Sequence, residues 1–381
     1  MIAESNHPSM SLQNRKIAIV CDWLTTQGGA EKVILSLHRL FPDAPIFTSI
    51  YNPDKVKGFE NATIHTSGIQ NLPLAKKKHQ LYLQMMPRAF EKFNLNEFDI
   101  VISSSHSCAK GIITKPQTLH ISYCHSPMRY AWENSINYVK QYKINPLVKA
   151  AAPWFLHKIR LWDRLSADRV DYFIANSHYI QRRIHKYYRR PSTVIHPFIN
   201  AQQFSPSGPR EEFYLAVGRL TPYKKFDLLI DTFNETGLPL KIVGTGISEN
   251  DLKQKAKSNI QFLGFVPDEE LQQLYQQAKA LVFPQLEDFG IIPLEAMASG
   301  CPVIAYAQGG ALETVVDGKT GVYFKEQTPE SLKKALRKKA TIKFDHQKIE
   351  QHAKTFSEER FQKEITQFIE KKWKDWQKQM A

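Results

Sequence analysis

The stretch Glu287-Asp288-Phe289-Gly290-Ile291-Ile292-Pro293-Leu294-Glu295-Ala296-Met297-Ala298-Ser299-Gly300 lies between two short apolar runs. The run before it, Ala280–Phe283, and the run after it, residues 301–305, have the composition of buried strands. Pro293 stands near the start of the intervening helix, where the missing proline N–H leaves no hydrogen bond unmade. The stretch therefore predicts a strand, a loop, a helix and a second strand, which is the repeating unit of a parallel α/β sheet.

Two carboxylates, Glu287 and Glu295, stand eight residues apart across the predicted junction of loop and helix. The start of a helix offers unpaired N–H groups and the positive end of the helix dipole, and both favour a bound phosphate. Carboxylates beside such a site favour hydroxyl groups, from which they accept hydrogen bonds. Phosphate and hydroxyls together describe a nucleotide sugar, so we expect this stretch to form part of a nucleotide-sugar site.

The composition is that of a globular protein with more than one domain. The chain has 381 residues, of which 42% are hydrophobic and 23% charged, and one ordinary core does not extend over that length. Its four cysteines are scattered without a Cys-x-x-Cys pair, which argues against a disulfide framework and a zinc site and favours a reducing compartment. The first 14 residues lack the apolar core of a signal peptide, and no apolar run is long enough to span a bilayer.

The positive charge is concentrated in the first half of the chain. Residues 1–200 contain 26 Lys and Arg against 13 Asp and Glu, a net charge of +13, whereas residues 201–381 contain 25 against 24. Such a bias predicts an anionic partner for the first half, which could be a membrane surface, a lipid phosphate or a nucleic acid.

Strand and helix patterns alternate along both halves, which predicts an α/β fold of two Rossmann-like domains with parallel sheets. We place a flexible N-terminus at 1–14, an N-terminal domain at 15–198, a C-terminal domain at 199–358 and a final helix at 359–381 that packs back on the N-terminal domain. The predicted strands are 16–20, 100–103, 118–123 and 172–176 in the first domain and 213–217, 240–243, 260–263, 280–283, 301–305 and 320–324 in the second. A cleft between the domains would face the carboxyl ends of both sheets, where such sheets bind ligands.

Glycine turns follow two of the predicted strands. Gly28 and Gly29 form the turn between the first strand and the first helix, and Gly244 follows the strand at 240–243. Glycines at such turns let backbone N–H groups approach a phosphate or a sugar closely, although a purely structural turn is the alternative.

Cations and a histidine follow other strands. Arg219 and Lys224 come after the first strand of the second domain, where they could clamp a diphosphate, Arg as a fork and Lys as a point charge. His125 ends a strand of the first domain, where it could bond to a sugar hydroxyl or oppose the charge of a phosphate. The alternatives are a solvated loop for the cations and a structural role for His125, and for His106 and His196 the structural role is favoured.

Two segments of the first domain combine cations with large apolar residues. They are Lys76-Lys77-Lys78 followed by Leu81, Tyr82, Leu83 and Met85, and residues 149–164 with Trp154, Phe155, Leu156, Leu161 and Trp162. Both have the composition of a basic amphipathic surface that suits an anionic interface. The alternative is that the apolar residues belong to the core and the cations to a solvated face.

With these residues in place, the chain resembles the family 4 glycosyltransferases, which are retaining enzymes of the GT-B fold. The resemblance extends from about Lys16 to Phe324 and rests on motifs that follow the predicted strands. They are Gly28-Gly29-Ala30-Glu31, Val217-Gly218-Arg219-Leu220 with Lys224, the pair Glu287 and Glu295, Gly309-Gly310 with Glu313-Thr314-Val315, and Asp317-Gly318 with Gly321. The stretches Cys21-Asp22-Trp23-Leu24 and 124–132 resemble a bacterial subgroup that includes O-antigen and exopolysaccharide mannosyltransferases.

The resemblance implies a role for each candidate residue. The catalytic group would consist of Glu287 on the transferred sugar, Arg219 and Lys224 on the diphosphate, and His125 near the reacting centre. Glu295 would bind the ribose hydroxyls of the donor. The remaining donor-binding groups would be Gly28, Gly29, Gly244, Phe289, Gly290 and Ile291. Since Arg and Lys would take the place of a metal ion, the resemblance implies neither a metal nor another cofactor.

One position departs from the pattern of the family. Many members have glycine after the lysine, whereas this chain has Lys225, so either Lys224 or Lys225 could contact the phosphate. A second open point is the mechanism, because no residue is identified as a carboxylate nucleophile. The account favoured for the family is a reaction on one face of the sugar, in which the diphosphate oxygen accepts the proton of the acceptor.

The resemblance also implies a biological setting. The chain would transfer a hexose, most simply mannose from GDP-mannose, to a lipid-linked saccharide during synthesis of a cell-surface polysaccharide such as lipopolysaccharide. It would be cytoplasmic and peripheral on the inner face of the cell membrane, which its basic N-terminal domain would contact. The alternatives are a UDP-sugar-dependent transferase and an epimerase or phosphorylase on the same fold. A nucleic-acid binder is disfavoured, because the sequence contains no nucleic-acid motif.

Overall fold

The computed structural model describes residue 12, residues 14–133 and residues 146–380. The predicted flexible N-terminus at 1–14 therefore lies outside the described residues except for positions 12 and 14. The chain divides into two compact units, which we call the first unit (Met1–Pro197 with Glu359–Ala381) and the second unit (Phe198–Glu358). Each unit contains a parallel sheet with helices between its strands, so the predicted pair of Rossmann-like domains is confirmed.

Seven parallel strands form the sheet of the first unit. They are β1 (Ile17–Cys21), β2 (Ile46–Thr48), β3 (Ile64–Thr66), β4 (Ile100–Ser105), β5 (Leu119–Cys124), β6 (Tyr172–Ala175) and β7 (Ser192–Val194). Their order across the sheet is β3-β2-β1-β4-β5-β6-β7. The helices among them are α1 (Gly29–Leu40), α2 (Met86–Glu91), α3 (Pro146–Ser166) and α4 (His178–Tyr188). The central strands β1, β4 and β5 are buried along their whole length, as parallel strands covered on both faces must be.

Six parallel strands form the sheet of the second unit. They are β8 (Tyr214–Val217), β9 (Leu240–Val243), β10 (Ile260–Gly264), β11 (Ala280–Phe283), β12 (Val303–Tyr306) and β13 (Gly321–Phe324). Their order is β10-β9-β8-β11-β12-β13. The helices of this unit are α5 (Phe226–Thr236), α6 (Glu249–Lys255), α7 (Asp268–Gln277), α8 (Ile291–Ala298), α9 (Ala311–Thr314), α10 (Pro329–Thr341) and α11 (His346–Lys354).

The last helix, α12 (Glu358–Met380), packs on the first unit, as predicted. The ring of Phe361 lies 5.8 Å from that of Tyr123 at the end of β5, and the Trp376 indole N–H donates to the carbonyl of Gln117 over 3.0 Å. The buried residues follow one another at intervals of four, which places them along one side of the helix: Phe361, Ile365, Ile369 and Trp373. The chain therefore returns to its first unit after completing its second.

Each sheet has one place where the strand order changes direction. In the first unit it lies between β1 and β4, and in the second between β8 and β11. The loops that leave the carboxyl ends of two such strands run to opposite sides and leave a crevice between them, which is where open α/β sheets bind ligands. We therefore expect the functional residues of each unit on the loops that follow these strands.

Candidate functional site

The loop between β11 and α8 leads into the helix through a glycine in a left-handed conformation, next to a buried phenylalanine. Gly290 precedes α8 and has a φ of +103°, a left-handed conformation that favours glycine. Phe289 is buried, and its ring lies 5.9 Å from that of Phe356. Ile291 is the first helical residue, so Phe289, Gly290 and Ile291 all stand at the helix N-terminus that the sequence predicts.

Two glycines that follow β12 hold this loop in place. The N–H of Gly310 donates to the carbonyl of Glu287 over 2.9 Å. A Cβ atom on Gly310 would lie 2.2 Å from the Phe289 Cα, and one on Gly309 would lie 2.4 Å from the Glu287 carbonyl oxygen. Because no heavy atom fits at such distances, the close backbone packing of this loop requires glycine at both positions.

An ion pair joins the loops after β8 and β11. Lys224 lies on the single helical turn Pro222–Lys224, and its Nζ contacts Oε1 of Glu287. Both side chains are mostly buried, so salt screens this pair less than it would screen a pair on the surface. Since β8 and β11 are neighbours in the sheet, the topology brings together two residues that are 63 positions apart in the sequence.

The other cations after β8 have different surroundings. The Arg219 side chain is exposed. Among the described residues, the ion pair at this site is formed by Lys224 and Glu287 without Arg219. Lys225 has a φ of +59°, the left-handed region in which glycine is favoured. This backbone conformation gives a physical reason for the glycine that many family members have at the position of Lys225.

The turn after β9 is placed by backbone contacts. Gly244 has a φ of +131°, and its N–H donates to the carbonyl of Gly264 over 2.7 Å. A Cβ atom at this position would lie 1.9 Å from the carbonyl oxygen of Gly218. The predicted amide donor of Gly244 therefore already has a partner, and the glycine itself is required by the adjoining turn.

Glu295 lies in the second turn of α8, half-buried and near the Tyr275 hydroxyl. Burial raises the pKa of Tyr275 well above its usual range, and the neighbouring Glu295 carboxylate raises it further. Tyr275 therefore keeps its proton at any physiological pH, and its protonated hydroxyl lies next to the Glu295 carboxylate.

Gln285 is a residue that the sequence reasoning missed. It follows β11 by two positions, is 1% exposed, and both its Nε2 and Oε1 lack a hydrogen-bond partner among the described residues. A buried unpaired amide is costly, so a polar group from outside the protein would stabilise it. Its position two residues before Glu287 is the only sequence feature that could have drawn attention to it.

In the first unit, His125 follows β5 and is held by groups from β4. Its Nε2 lies 2.8 Å from the Ser104 Oγ, its backbone N–H donates to the Ser105 carbonyl, and its carbonyl accepts from the Asn176 amide. Burial, and to a lesser extent the neighbouring His106, lowers the pKa of His125 to about 3. The imidazole is therefore neutral at neutral pH, where it can form hydrogen bonds but cannot oppose the charge of a phosphate.

Asp22 organises the loop after β4. Its buried carboxylate accepts the backbone N–H groups of His106, Ser107 and Ala109 over 2.7, 2.9 and 2.7 Å, and it lies 3.2 Å from Nδ1 of His106. Asp22 thus fixes both the loop and the imidazole of His106. In the sequence, Asp22 drew attention only as part of a subgroup motif, and the contact with His106 depends on the pairing of β1 with β4.

Aromatic rings form a row at the carboxyl ends of β1, β4 and β5. Trp23 stacks on His79 at 4.4 Å and meets the edge of His106 at 4.7 Å, and the ring of His106 lies 6.3 Å from that of His125. We call Trp23, His79, His106 and His125 the ring row. Burial, followed by His106, lowers the pKa of His79 to about 4, so this imidazole is also neutral at neutral pH. Flat rings with single hydrogen-bonding groups suit an uncharged polar ligand such as a saccharide.

The first glycine turn forms a hydrogen bond with the helix that it precedes, α1. The N–H of Gly28, the N-cap residue of α1, donates to Oε2 of Glu31 over 3.1 Å, and Gly29 is the first helical residue. Burial raises the pKa of Glu31. The Gly28 amide, predicted as a donor to phosphate or sugar, is therefore paired inside the protein.

The described part of the chain contains neither a metal-binding cluster nor a helix that could cross a membrane. Within residues 12, 14–133 and 146–380, no group of three or more His, Cys, Asp and Glu side chains is arranged to hold a metal ion. Over the same residues, no helix has the length and apolar character that crossing a membrane requires.

Comparison with known proteins identifies the family. The family described as "Glycosyltransferase Family 4" matches residues 27–203, and "Glycosyl transferases group 1" matches residues 198–371. The chain is 28% identical over 250 residues to the alpha-1,3/1,6-mannosyltransferase of Dictyostelium discoideum, covering 52% of this chain and 56% of the relative. It is 30% identical over 164 residues to the O-antigen chain mannosyltransferase of Salmonella typhimurium, covering 39% of this chain and 46% of the relative. The matches thus span about half the length of these curated relatives.

A solved structure has the same fold. Sucrose-phosphate synthase from Thermosynechococcus elongatus superposes with a TM-score of 0.70 over 95% of this chain and 100% of its own, at 17% sequence identity. At that identity the similarity concerns the fold alone. The two adjoining family matches, the motifs after β1, β8 and β11 and the shared fold agree with one another. The chain therefore belongs to the family 4 glycosyltransferases, with the GT-B fold.

Proposed function

We propose that the protein is a retaining glycosyltransferase that moves a hexose from a nucleoside-diphosphate sugar to a lipid-linked saccharide. The observation that carries this proposal is the Lys224–Glu287 ion pair, which sets a cation and a carboxylate beside the start of α8. The names of the relatives support mannose, and the subgroup resemblance favours GDP-mannose as the donor. The basic first half of the chain supports a place on the inner face of the cell membrane, in cell-surface polysaccharide synthesis.

The second unit supplies the groups that stabilise the leaving diphosphate. When the bond from the anomeric carbon to the diphosphate oxygen breaks, positive charge develops on the sugar and negative charge on the diphosphate. Lys224 and the amides at the start of α8 stabilise that negative charge, and they need little reorganisation because backbone packing already holds their loops. Arg219, which is exposed, adds a second cation by turning toward the phosphate.

Glu287 and Glu295 bind hydroxyl groups of the donor. Lysine has three N–H donors, so Lys224 can contact a phosphate oxygen while it stays paired with Glu287. Glu287 retains a second carboxylate oxygen, which accepts from a hydroxyl of the transferred sugar. Glu295 binds the ribose, and the protonated Tyr275 hydroxyl lies beside it.

The transfer step itself needs no carboxylate nucleophile. The acceptor oxygen forms its bond to the anomeric carbon on the face that the diphosphate leaves, which retains the configuration. The proton of the acceptor hydroxyl passes to the departing diphosphate oxygen, so atoms and charges balance. His125, neutral at neutral pH, contributes a hydrogen bond to a sugar hydroxyl and not a positive charge.

The test compares two neighbouring lysines. Lys224→Ala should lower transfer from GDP-mannose by roughly 10²–10³-fold, the usual cost of removing a group that stabilises the transition state. Glu295→Ala should lower transfer chiefly at low donor concentration, because the ribose loses a hydrogen-bond acceptor in the bound donor and the transition state alike. Lys225→Ala is the matched control, because this side chain has the same charge one position away, and it should retain activity within a few fold. Near-wild-type turnover in both Lys224→Ala and Glu295→Ala would contradict the assignment.

The donor is tested by nucleotide binding. GDP at 100 times its dissociation constant should stabilise the protein by about 2.7 kcal/mol against thermal unfolding, compared with UDP, ADP and CDP at equal concentration. Stabilisation by UDP alone would exclude GDP-mannose. Product analysis separates the other enzymes on this fold, because an epimerase forms no sugar linked to the acceptor, and a phosphorylase releases sugar phosphate.

A further inference from the structure

Helix α3 has apolar residues on two opposite sides. On the inner side, Ile159 is buried and Trp162 packs against the core of the first unit. On the outer side, Trp154, Leu161 and Leu165 have 54%, 52% and 65% of their surfaces exposed. These three positions follow one another at intervals of seven and four residues, which places them on one side of a helix.

A lysine completes this outer row. Lys158 lies one turn after Trp154, and its Nζ is 3.8 Å from the centroid of the tryptophan ring. We call Trp154, Lys158, Leu161 and Leu165 the outer stripe of α3. Residues 146–166 contain four Lys and Arg and a single acid, Asp163, which is buried and paired with a buried lysine. The helix therefore combines exposed apolar side chains with an excess of positive charge.

A second segment with the same character rests on the same core. Residues 72–85 expose three large apolar side chains around three consecutive lysines, namely Leu74, Leu81 and Met85 around Lys76, Lys77 and Lys78. One core cluster contains both Met86, which directly follows this segment, and Ile159 of α3. The Trp162 indole N–H also donates to Oε1 of Glu91 over 2.9 Å, which ties α2 to α3.

We propose that the outer stripe of α3 lies in the headgroup region of an anionic bilayer and holds the enzyme at the membrane. The proposal rests on the proposed function, because a lipid-linked acceptor places the reaction at a bilayer. Tryptophan and leucine enter the boundary between headgroups and acyl chains, while Lys158 and the basic residues around it meet the lipid phosphates.

Charge favours a bilayer over the other occupants of such a stripe. A second copy of this chain would bring together two surfaces whose first 200 residues each carry a net charge of +13, which opposes association. A nucleic acid would pair with the cations but would leave the leucines exposed to water. An anionic membrane accepts both kinds of side chain at once.

Vesicle co-sedimentation of the full chain tests the proposal. Wild-type protein should bind vesicles of equal parts phosphatidylcholine and phosphatidylglycerol, and bind vesicles of phosphatidylcholine alone at least about tenfold more weakly. The triple variant Trp154→Gln/Leu161→Gln/Leu165→Gln should lose about tenfold or more of the binding to the mixed vesicles. Binding should also weaken as salt is raised, because the charges are exposed to solvent.

The matched control changes exposed apolar residues of the second unit. Ile247→Gln/Phe265→Gln/Leu312→Gln removes large apolar side chains that are 61%, 83% and 50% exposed, and it should bind the mixed vesicles as the wild type does. Equal binding by the stripe variant and the wild type would overturn the proposal, as would an equal loss in the control. A second check measures the accessibility of Trp154 to iodide, as the difference in fluorescence quenching between the wild type and Trp154→Phe. If Trp154 were shielded from iodide in the absence of vesicles, the proposal would be overturned. The proposal would also be overturned if the wild type were a dimer and the stripe variant a monomer.

A parallel measurement separates this proposal from the proposed function. Stabilisation of the stripe variant by GDP should equal that of the wild type, since the stripe lies in the first unit and the nucleotide groups lie in the second. Absence of stabilisation by any nucleotide in the wild type, together with intact vesicle binding, would refute the proposed function and leave the membrane surface standing. The reverse result would refute the membrane surface alone.

Discussion

The crevice of the first unit and that of the second occupy the same topological position but are built from different chemistry. At β1 and β4, one buried carboxylate, Asp22, orders the loop, and the imidazoles of His79 and His125 are neutral. At β8 and β11, the ion pair of Lys224 and Glu287 joins two loops, each of which packs backbone against backbone with the loop of a neighbouring strand. The comparison teaches that topology fixes where a site lies, whereas the loops decide whether the site presents charge or neutral hydrogen-bonding groups.

The sharpest way to break this comparison is to disturb the backbone packing of the second unit. Gly310→Ala should destabilise the protein by at least about 3 kcal/mol, because the new Cβ would lie 2.2 Å from backbone atoms of Phe289 that cannot rotate away. Chemical denaturation measures the loss of unfolding free energy.

The matched change in the first unit is Gly28→Ala. There a Cβ atom would meet only the end of the Glu31 side chain, at 3.1 Å, and the residue has no left-handed backbone. We expect a loss below about 1 kcal/mol. Equal losses of unfolding free energy at Gly310 and Gly28 would show that close backbone packing does not distinguish the loop of the second unit from that of the first.

A somewhat smaller effect is expected from Asp22→Asn. Asparagine keeps one accepting oxygen, but its NH2 group replaces the other and cannot accept, so at least one backbone N–H among those of His106, Ser107 and Ala109 would lose its partner. The expected loss is roughly 2–3 kcal/mol of unfolding free energy, typical of a bond to a charged group that is left unmade in the interior. Asp99→Asn is the control, because that carboxylate accepts the N–H of Lys16 at an exposed site, and it should change stability little.

The smallest effect concerns the protonation of the ring row. The pKa of His125 is about 3 in the folded protein and about 6.5 in an unfolded chain, so the unfolded state binds the extra proton between these values. Stability contributed by the neutral imidazole is therefore lost as the pH falls below about 6.5. Between pH 7 and pH 5 the wild type should lose about 2 kcal/mol more unfolding free energy than His125→Gln does.

The control for the pH series is His65→Gln, which removes an exposed histidine of β3. It should follow the wild-type pH dependence, because this side chain is exposed and does not belong to the ring row. A His125→Gln variant whose stability depends on pH as steeply as that of the wild type would show that His125 is not held neutral by the fold.

Much of the second unit could be predicted from local sequence. The predicted strands at 240–243 and 280–283 agree with the structure to the residue. The apolar runs on either side of residues 287–300, together with Pro293, also predict the helix that the structure shows as α8. The three-residue strands β2, β3 and β7 were missed, because so few residues do not establish a period of two. The helix at the C-terminus was predicted at 359–381, and the structure places it at Glu358–Met380.

The sequence by itself determined the α/β alternation, the two-domain organisation and the candidate residues after β8 and β11, because periodicity and turn residues act over a few positions. Only the tertiary structure decided which of those residues meet. Lys224 reaches Glu287, and Asp22 orders the loop of His106, because parallel strands that are distant in sequence lie side by side at the point where each sheet changes direction. The Gly28 amide pairs locally, with Glu31 three positions on, whereas the packing of the strands decided that the Gly244 amide is already paired. Hydrogen bonds of this kind depend on strand order, which is set by the packing of the whole sheet and by no local pattern.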